Sequence, residues 1–187
     1  MKTKDHFFKA VCTLAIPVAL QSMLQSSFSM VDQIMIGQLG EINVAGVGLA
    51  GKFASIYSVV ISAIGAVAGI MIAQYLGQKN RSEVRRSFFT NLLLGAGIAG
   101  MFMVICTLFP NQIMGTYTRD THTRQAAAEY LMLVPGTFVP MAGATLLSTL
   151  FRCLEKPRLP LYASILSALL NTGLNYILIF GKLGITP

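Results

Sequence analysis

The composition of this 187-residue chain is typical of a membrane protein, because 54% of its residues are hydrophobic and only 11% are charged. So few charged residues leave too little polar surface to cover a soluble globule of this size. The net charge of +7 does not indicate a nucleic-acid partner, since the basic residues form short clusters between apolar segments instead of one amphipathic face.

Five apolar segments are long enough to cross a membrane as helices. A helix rises about 1.5 Å per residue, so roughly 20 apolar residues cross a hydrocarbon core of about 30 Å. The segments lack the two-residue alternation of a membrane β-barrel. We therefore predict an all-α integral membrane protein. Its single partial domain, residues 1–187, has spans at approximately 10–36, 53–76, 88–109, 126–151 and 161–180.

The distribution of Lys and Arg predicts the orientation in the membrane. The N-terminus and the connections between spans two and three and between spans four and five carry ten of these residues, whereas the opposite side carries three. Basic residues accumulate in cytoplasmic loops. This predicts a multi-pass protein of the plasma membrane with a cytoplasmic N-terminus. The last residues, 181–187, resemble a turn leading into another element, which is typical of a fragment.

A polar stripe with one carboxylate runs along the first span. Charge inside a membrane costs several kcal/mol unless it is paired or hydrated, so Asp32 is a candidate functional residue. On a helical wheel, Gln21, Gln25 and Phe28 lie on the same narrow face as Asp32, and Pro17 lies there too. The alternative for the carboxylate is that it reaches the nearby outer interface.

The fifth span carries a second polar stripe. Four of its residues fall within about 80° of each other on a helical wheel: Ser164, Ser167, Asn171 and Asn175. The two stripes can face each other across a hydrated cavity. Alternatively, these side chains form interhelical hydrogen bonds, which contribute about 0.6 kcal/mol per contact on average.

Proline and glycine residues inside the spans predict local geometry. Each of Pro17, Pro135 and Pro140 lacks an N–H and disturbs the preceding helical turn, so we predict bends there. The alternative is a static kink with no part in transport. Gly65 and Gly69, four residues apart, predict close helix packing.

Enzyme signatures are missing from the sequence. It contains no H-E-x-x-H motif, no G-x-S-x-G motif and no phosphate-binding loop. The cysteine spacing does not match that of a metal site. We therefore predict that the chain is not an enzyme and holds no cofactor.

Short motifs in order along the chain resemble the multidrug and toxic compound extrusion (MATE) family of transporters. The resemblance covers almost the whole chain. The motifs are Pro17, Val31-Asp32, Ile36-Gly37, Leu39-Gly40, Gln74-Tyr75-Leu76-Gly77, Tyr130-Leu131, Pro135, Arg152, Lys156-Pro157, Leu170-Asn171, Asn175 and Ile179-Phe180-Gly181.

The resemblance implies a secondary antiporter that exports cationic or amphiphilic small molecules in exchange for H⁺ or Na⁺. It also implies that the chain holds five helices of a six-helix N-terminal lobe, so that the sixth helix and the second lobe would be missing. Two other interpretations stay open. One is a truncated chain that does not transport and serves at most as an assembly partner, and the other is a related transporter that flips lipids.

The resemblance further implies a cation-coupling site at Asp32, with Asn171 and Asn175 on the fifth helix. Some members of the family carry Asp at the position of Asn175, so a site with two carboxylates is not available here. A carboxylate in a low-dielectric cavity binds a proton more readily than in water. The amide oxygens of Asn171 and Asn175 can coordinate Na⁺ or accept a hydrogen bond from the protonated acid. No other metal site is expected.

Overall fold

The structure is a computed structural model that describes residues 2–37 and 40–179. Within these ranges it does not describe the side chains of residues 2–10, 32, 176, 178 and 179. The described residues form helices and contain no β-strand. The helices are α1 (Lys2–Ile36), α2 (Glu41–Gly77), α3 (Arg81–Leu108), α4 (Pro110–Gly115), α5 (Thr121–Leu133), α6 (Phe138–Cys153) and α7 (Arg158–Ile179).

Four helical stretches in the described part of the chain are long and apolar enough to cross a membrane. They are Val11–Ile36, Glu41–Gly77, Arg81–Leu108 and Thr121–Cys153. The predicted class, an all-α membrane protein, is therefore confirmed. The fifth predicted span coincides with α7 and extends into residues after Ile179 that lie outside the description, so the count of five spans stays a prediction.

Several helices extend beyond the apolar segments from which the spans were predicted. α2 begins at Glu41, well before the predicted start at residue 53, and α3 begins at Arg81. The side chain of Asn80 caps α3 by accepting a hydrogen bond from the Glu83 N–H at 3.3 Å. Polar residues can thus continue a helix into the headgroup region, where hydropathy alone detects no span.

The fourth span is two helices joined by a 3₁₀ turn. The turn, Val134–Thr137, contains Pro135 and separates α5 from α6. Pro140 follows in the first turn of α6, whereas α1 continues as a helix through Pro17. Because a 3₁₀ turn winds more tightly than an α-helix, it changes the direction in which side chains project before and after it.

The chain divides into two compact units. The first combines Met1–Leu39 with Leu154–Pro187, and the second is Gly40–Cys153. In the second unit, Tyr57, Phe102 and Phe138 form an aromatic cluster with ring centroids 4.4 to 6.3 Å apart. The buried Tyr57 hydroxyl donates a hydrogen bond of 2.6 Å to the Phe138 carbonyl oxygen. This bond ties α2 to the start of α6, directly after the 3₁₀ turn.

Replacing Tyr57 by Phe is expected to lower the free energy of unfolding by about 1 kcal/mol, because it deletes a buried hydrogen bond and preserves the ring. The measurement is chemical unfolding in detergent. Tyr162→Phe is the matched control, since the Tyr162 side chain is 62% exposed. An equal effect of both substitutions would show that the bond to Phe138 contributes nothing specific.

Small residues allow the helices of the second unit to approach closely. A Cβ atom added at Gly65 would lie 3.3 Å from the Thr145 methyl group, and one at Gly69 would lie 3.0 Å from the Thr149 methyl group. The predicted close packing at these two glycines is confirmed. Gly46 is equally restricted, because an added Cβ would lie 3.0 Å from the backbone nitrogen of Ala127 on α5.

Candidate functional site

The candidate site is the seam between α1 and α7 in the first unit. On α1, Pro17 and Gln21 are buried and Phe28 is half-buried. On α7, Ser164 and Asn175 are half-buried. These positions are four and seven residues apart on α1 and eleven apart on α7. Each spacing is close to a whole number of helical turns, so each helix turns one face inward.

A hydrogen bond between two of the predicted site residues joins the helices. The Gln21 Nε2 atom donates to the Ser164 Oγ atom at 3.0 Å. The Gln21 side chain is only 5% exposed, and a buried amide is costly unless it is hydrogen-bonded. The bond therefore fixes the level at which α1 and α7 meet.

The two asparagines of α7 form a second polar pair. The Asn175 Nδ2 atom donates to the Asn171 Oδ1 atom at 3.2 Å, across one helical turn. Asn175 is half-buried and Asn171 is exposed. One carbonyl oxygen of the pair already accepts this hydrogen bond and keeps a second lone pair for a proton donor or a cation.

The structure does not bring every predicted site residue into the seam. Gln25 on α1 and both Ser167 and Asn171 on α7 are exposed. The backbone of Asp32 belongs to α1, but its side chain lies outside the described residues. The roles of Asp32, Asn171, Asn175 and the other predicted site residues, and the bends at Pro17, Pro135 and Pro140, stay predictions. Among the described residues, no three His, Cys, Asp or Glu side chains lie close enough together to hold a metal ion.

Sequence reasoning missed a buried polar pair on α3. Ser87 and Asn91 are 6% and 7% exposed, and the Asn91 Nδ2 atom donates to the Ser87 carbonyl oxygen at 2.8 Å. The Ser87 Oγ atom has no hydrogen-bond partner among the described residues. With Gly95 and Ala99, the pair forms a buried row at four-residue spacing. The four-residue spacing of these small and polar residues is visible in the sequence and could have identified the buried face of α3.

The chain matches the MatE family model over residues 17–177. It is 25% identical to a probable multidrug resistance protein NorM of Streptococcus pneumoniae (strain ATCC BAA-255 / R6), a match that covers 98% of this chain and 41% of the relative. It is 28% identical to a probable multidrug resistance protein NorM of Thermotoga maritima, over 94% of this chain and 38% of the relative. The chain thus spans about two fifths of the length of these curated relatives.

Solved structures share the fold. One is the outward-facing conformation of a multidrug resistance MATE family transporter of the MOP superfamily, with a TM-score of 0.85 and 18% identity over 95% of this chain and 40% of that chain. Another is a MOP superfamily transporter from Pyrococcus furiosus, with a TM-score of 0.85 and 18% identity over 95% of this chain and 39% of that chain. At this level of identity the likeness shows the fold alone.

Proposed function

The chain belongs to the MatE family, and we propose that it forms the N-terminal part of a secondary antiporter that exports drugs or organic cations in exchange for H⁺ or Na⁺. The names of the NorM relatives support drug efflux. The chain covers 41% of the first of these relatives, which supports a second lobe as its partner in transport. We accordingly propose a transporter and not an enzyme.

The observation that carries the proposal is the register of the seam between α1 and α7. The bond from Gln21 to Ser164 sets one common level. Asp32 follows Gln21 by eleven residues, and Asn175 follows Ser164 by eleven residues as well. Eleven residues correspond to three helical turns plus about 20° and a rise of about 16 Å. On a helical wheel, Asp32 therefore falls on the same face of α1 as Gln21, and Asn175 falls on the same face of α7 as Ser164.

The predicted membrane topology places the candidate coupling residues of α1 and α7 at a similar depth. Three predicted spans separate α1 from α7, so both helices are expected to cross the membrane in the same direction. Asp32 and Asn175 are then expected at the same depth, with Asn171 one turn away. We propose that these three residues bind the coupling ion.

The residue types favour a proton as the coupling ion. A single carboxylate at Asp32 can take up one proton, and the amide oxygens of Asn171 and Asn175 can accept a hydrogen bond from the protonated acid. A Na⁺ site is usually helped by more negative charge. Binding of the ion would drive transport only by favouring one of two conformations of the complete protein.

The excess of Lys and Arg on one side supports a cytoplasmic N-terminus in the plasma membrane. The lipid bilayer is then the immediate environment of the exposed apolar side chains. Cationic or amphiphilic molecules are the proposed substrates.

The experiment is ethidium efflux from cells that express the full-length reading frame containing this chain. We expect efflux above that of cells without the gene, and we expect a protonophore to stop it while replacement of Na⁺ leaves it unchanged. Efflux that depends on Na⁺ would reverse the choice of ion. No efflux of any cationic dye, with the protein present in the membrane, would contradict the proposed function and favour a non-transporting or lipid-flipping protein.

A further inference from the structure

The first turns of α3 carry a dense group of exposed cations. Arg81, Arg85 and Arg86 are all exposed. Their one described counter-charge is Glu83, whose Oε1 atom lies 3.9 Å from Arg86 Nη1, and the Arg86 side chain is 79% exposed. An ion pair of this length at the surface contributes little. Arg81 and Arg85 form no ion pair with any described residue.

An exposed apolar stripe continues from these arginines along α3. We define the α3 stripe as Phe89, Leu93, Met101 and Val104, which are 52% to 73% exposed. On a helical wheel all four lie within about 60° of Arg86. The same face of the helix is therefore cationic at one end and apolar along the rest of its length.

The length of this face matches the full hydrocarbon thickness of a bilayer. From Phe89 to Leu108, α3 rises about 28 Å, close to the hydrocarbon thickness of about 30 Å. With Phe89 at the edge of the hydrocarbon core, Arg85 and Arg86 lie at the depth of the lipid headgroups. A guanidinium group binds phosphate through two parallel hydrogen bonds.

We propose that Arg85, Arg86 and the α3 stripe form a binding site for an anionic phospholipid, with the phosphate on the two arginines and an acyl chain along Phe89 and Leu93. The apolar continuation favours a lipid over a free phosphate ion, because only a lipid has a chain to cover it. The assignment to the cytoplasmic leaflet rests on the membrane topology proposed above. That leaflet carries the anionic lipids that attract basic segments near the membrane.

The test uses the absence of tryptophan from the sequence. Phe89→Trp introduces a single tryptophan beside the two arginines, and its emission is separated from that of the six tyrosines by exciting at the red edge of the absorption band. The chain is reconstituted in phosphatidylcholine vesicles that contain an equal mole fraction of either brominated phosphatidylglycerol or brominated phosphatidylcholine, and quenching by the bromine atoms is measured. We expect the anionic lipid to associate about fivefold more strongly or better, because one basic residue near the surface contributes about that factor.

Adding Arg85→Gln and Arg86→Gln is expected to remove this preference. The matched control is Lys52→Gln with Arg119→Gln, which removes the same charge at two exposed positions elsewhere in the second unit and is expected to preserve it. Arg85→Lys with Arg86→Lys keeps the charge but not the paired hydrogen bonds, and is expected to retain part of the preference. This variant also separates lipid binding from a folding defect.

Equal quenching by both lipids in the Phe89→Trp protein would overturn the proposal. A preference that survives in the Gln variant would also overturn it, because the arginines would then not be the binding groups. Quenching by neither lipid would show that protein covers the α3 stripe, which contradicts a lipid site. None of these quenching measurements involves efflux. The lipid site can therefore fail its test while the proposed transport function stands, and transport can fail its test while the lipid site stands.

Discussion

Replacing Asp32 by Asn in the full-length transporter is expected to abolish ion-coupled ethidium efflux while the protein still inserts into the membrane. The substitution preserves the size of the side chain but removes the group that would take up a proton or pair with Na⁺. An amide does not ionise, so its protonation can no longer favour one conformation over another. Efflux is expected to fall to the level of cells that lack the transporter, with unchanged protein abundance in isolated membranes.

The matched control is Asp120→Asn, the same chemical change outside the spans. Asp120 caps α5, and its Oδ2 atom accepts a hydrogen bond from the Thr123 N–H at 2.8 Å. Hydrogen bonds from the side chain of Thr123 and from its backbone N–H hold the pKa of the Asp120 carboxyl below its ordinary value. Asn caps a helix about as well as Asp, so this variant is expected to transport normally. If the Asp32→Asn variant still shows ion-coupled efflux, Asp32 is not the residue that binds the coupling ion.

Gly46→Leu is expected to destabilise the second unit by roughly 2 kcal/mol or more. Any side chain at this position meets the backbone of α5, since an added Cβ would lie 3.0 Å from the Ala127 nitrogen and 3.1 Å from the Ala126 Cβ. A backbone cannot rotate away as a flexible side chain can, so α2 and α5 must separate. Chemical unfolding of the purified chain in detergent measures the loss.

Gly48→Leu provides the control for this prediction. Gly48 lies on the same helix, and an added Cβ would meet nothing within 4 Å. The two variants have the same composition and gain the same helix propensity, because Leu is a better helix former than Gly. A stable Gly46 variant, or an equal loss in both proteins, would show that the approach of α2 to α5 does not depend on glycine.

Hydropathy predicted the fold class because the lipid environment requires long apolar helices with paired backbone groups. It did not predict that α2 begins at Glu41, since a helix can continue beyond the hydrocarbon without apolar side chains. It also did not predict α4, Pro110–Gly115, because one and a half turns are too short for a periodic signal. The family resemblance, by contrast, anticipated the match to the MatE model.

The candidate site was predictable in part for a similar reason. A helical wheel identifies the polar face of one helix, and Gln21 and Ser164 do meet. It does not indicate how wide the contact with the neighbouring helix is, so it does not distinguish the buried Gln21 from the exposed Gln25 and Ser167, whose cavity-lining role stays a prediction. The buried pair of Ser87 and Asn91 has no charged member, so a charge inside an apolar span does not reveal it.

The 3₁₀ turn in the fourth span has a consequence for biosynthesis. α5 has 13 residues and α6 has 16, and a helix needs about 20 residues to cross the bilayer. Neither half is therefore long enough to cross the bilayer by itself. We expect residues Thr121–Cys153 to be inserted together as one membrane span. α2 precedes α6 in the chain, so Tyr57 is synthesised before Phe138. The hydroxyl group that donates to the Phe138 carbonyl oxygen is thus present in the chain before the fourth span is completed.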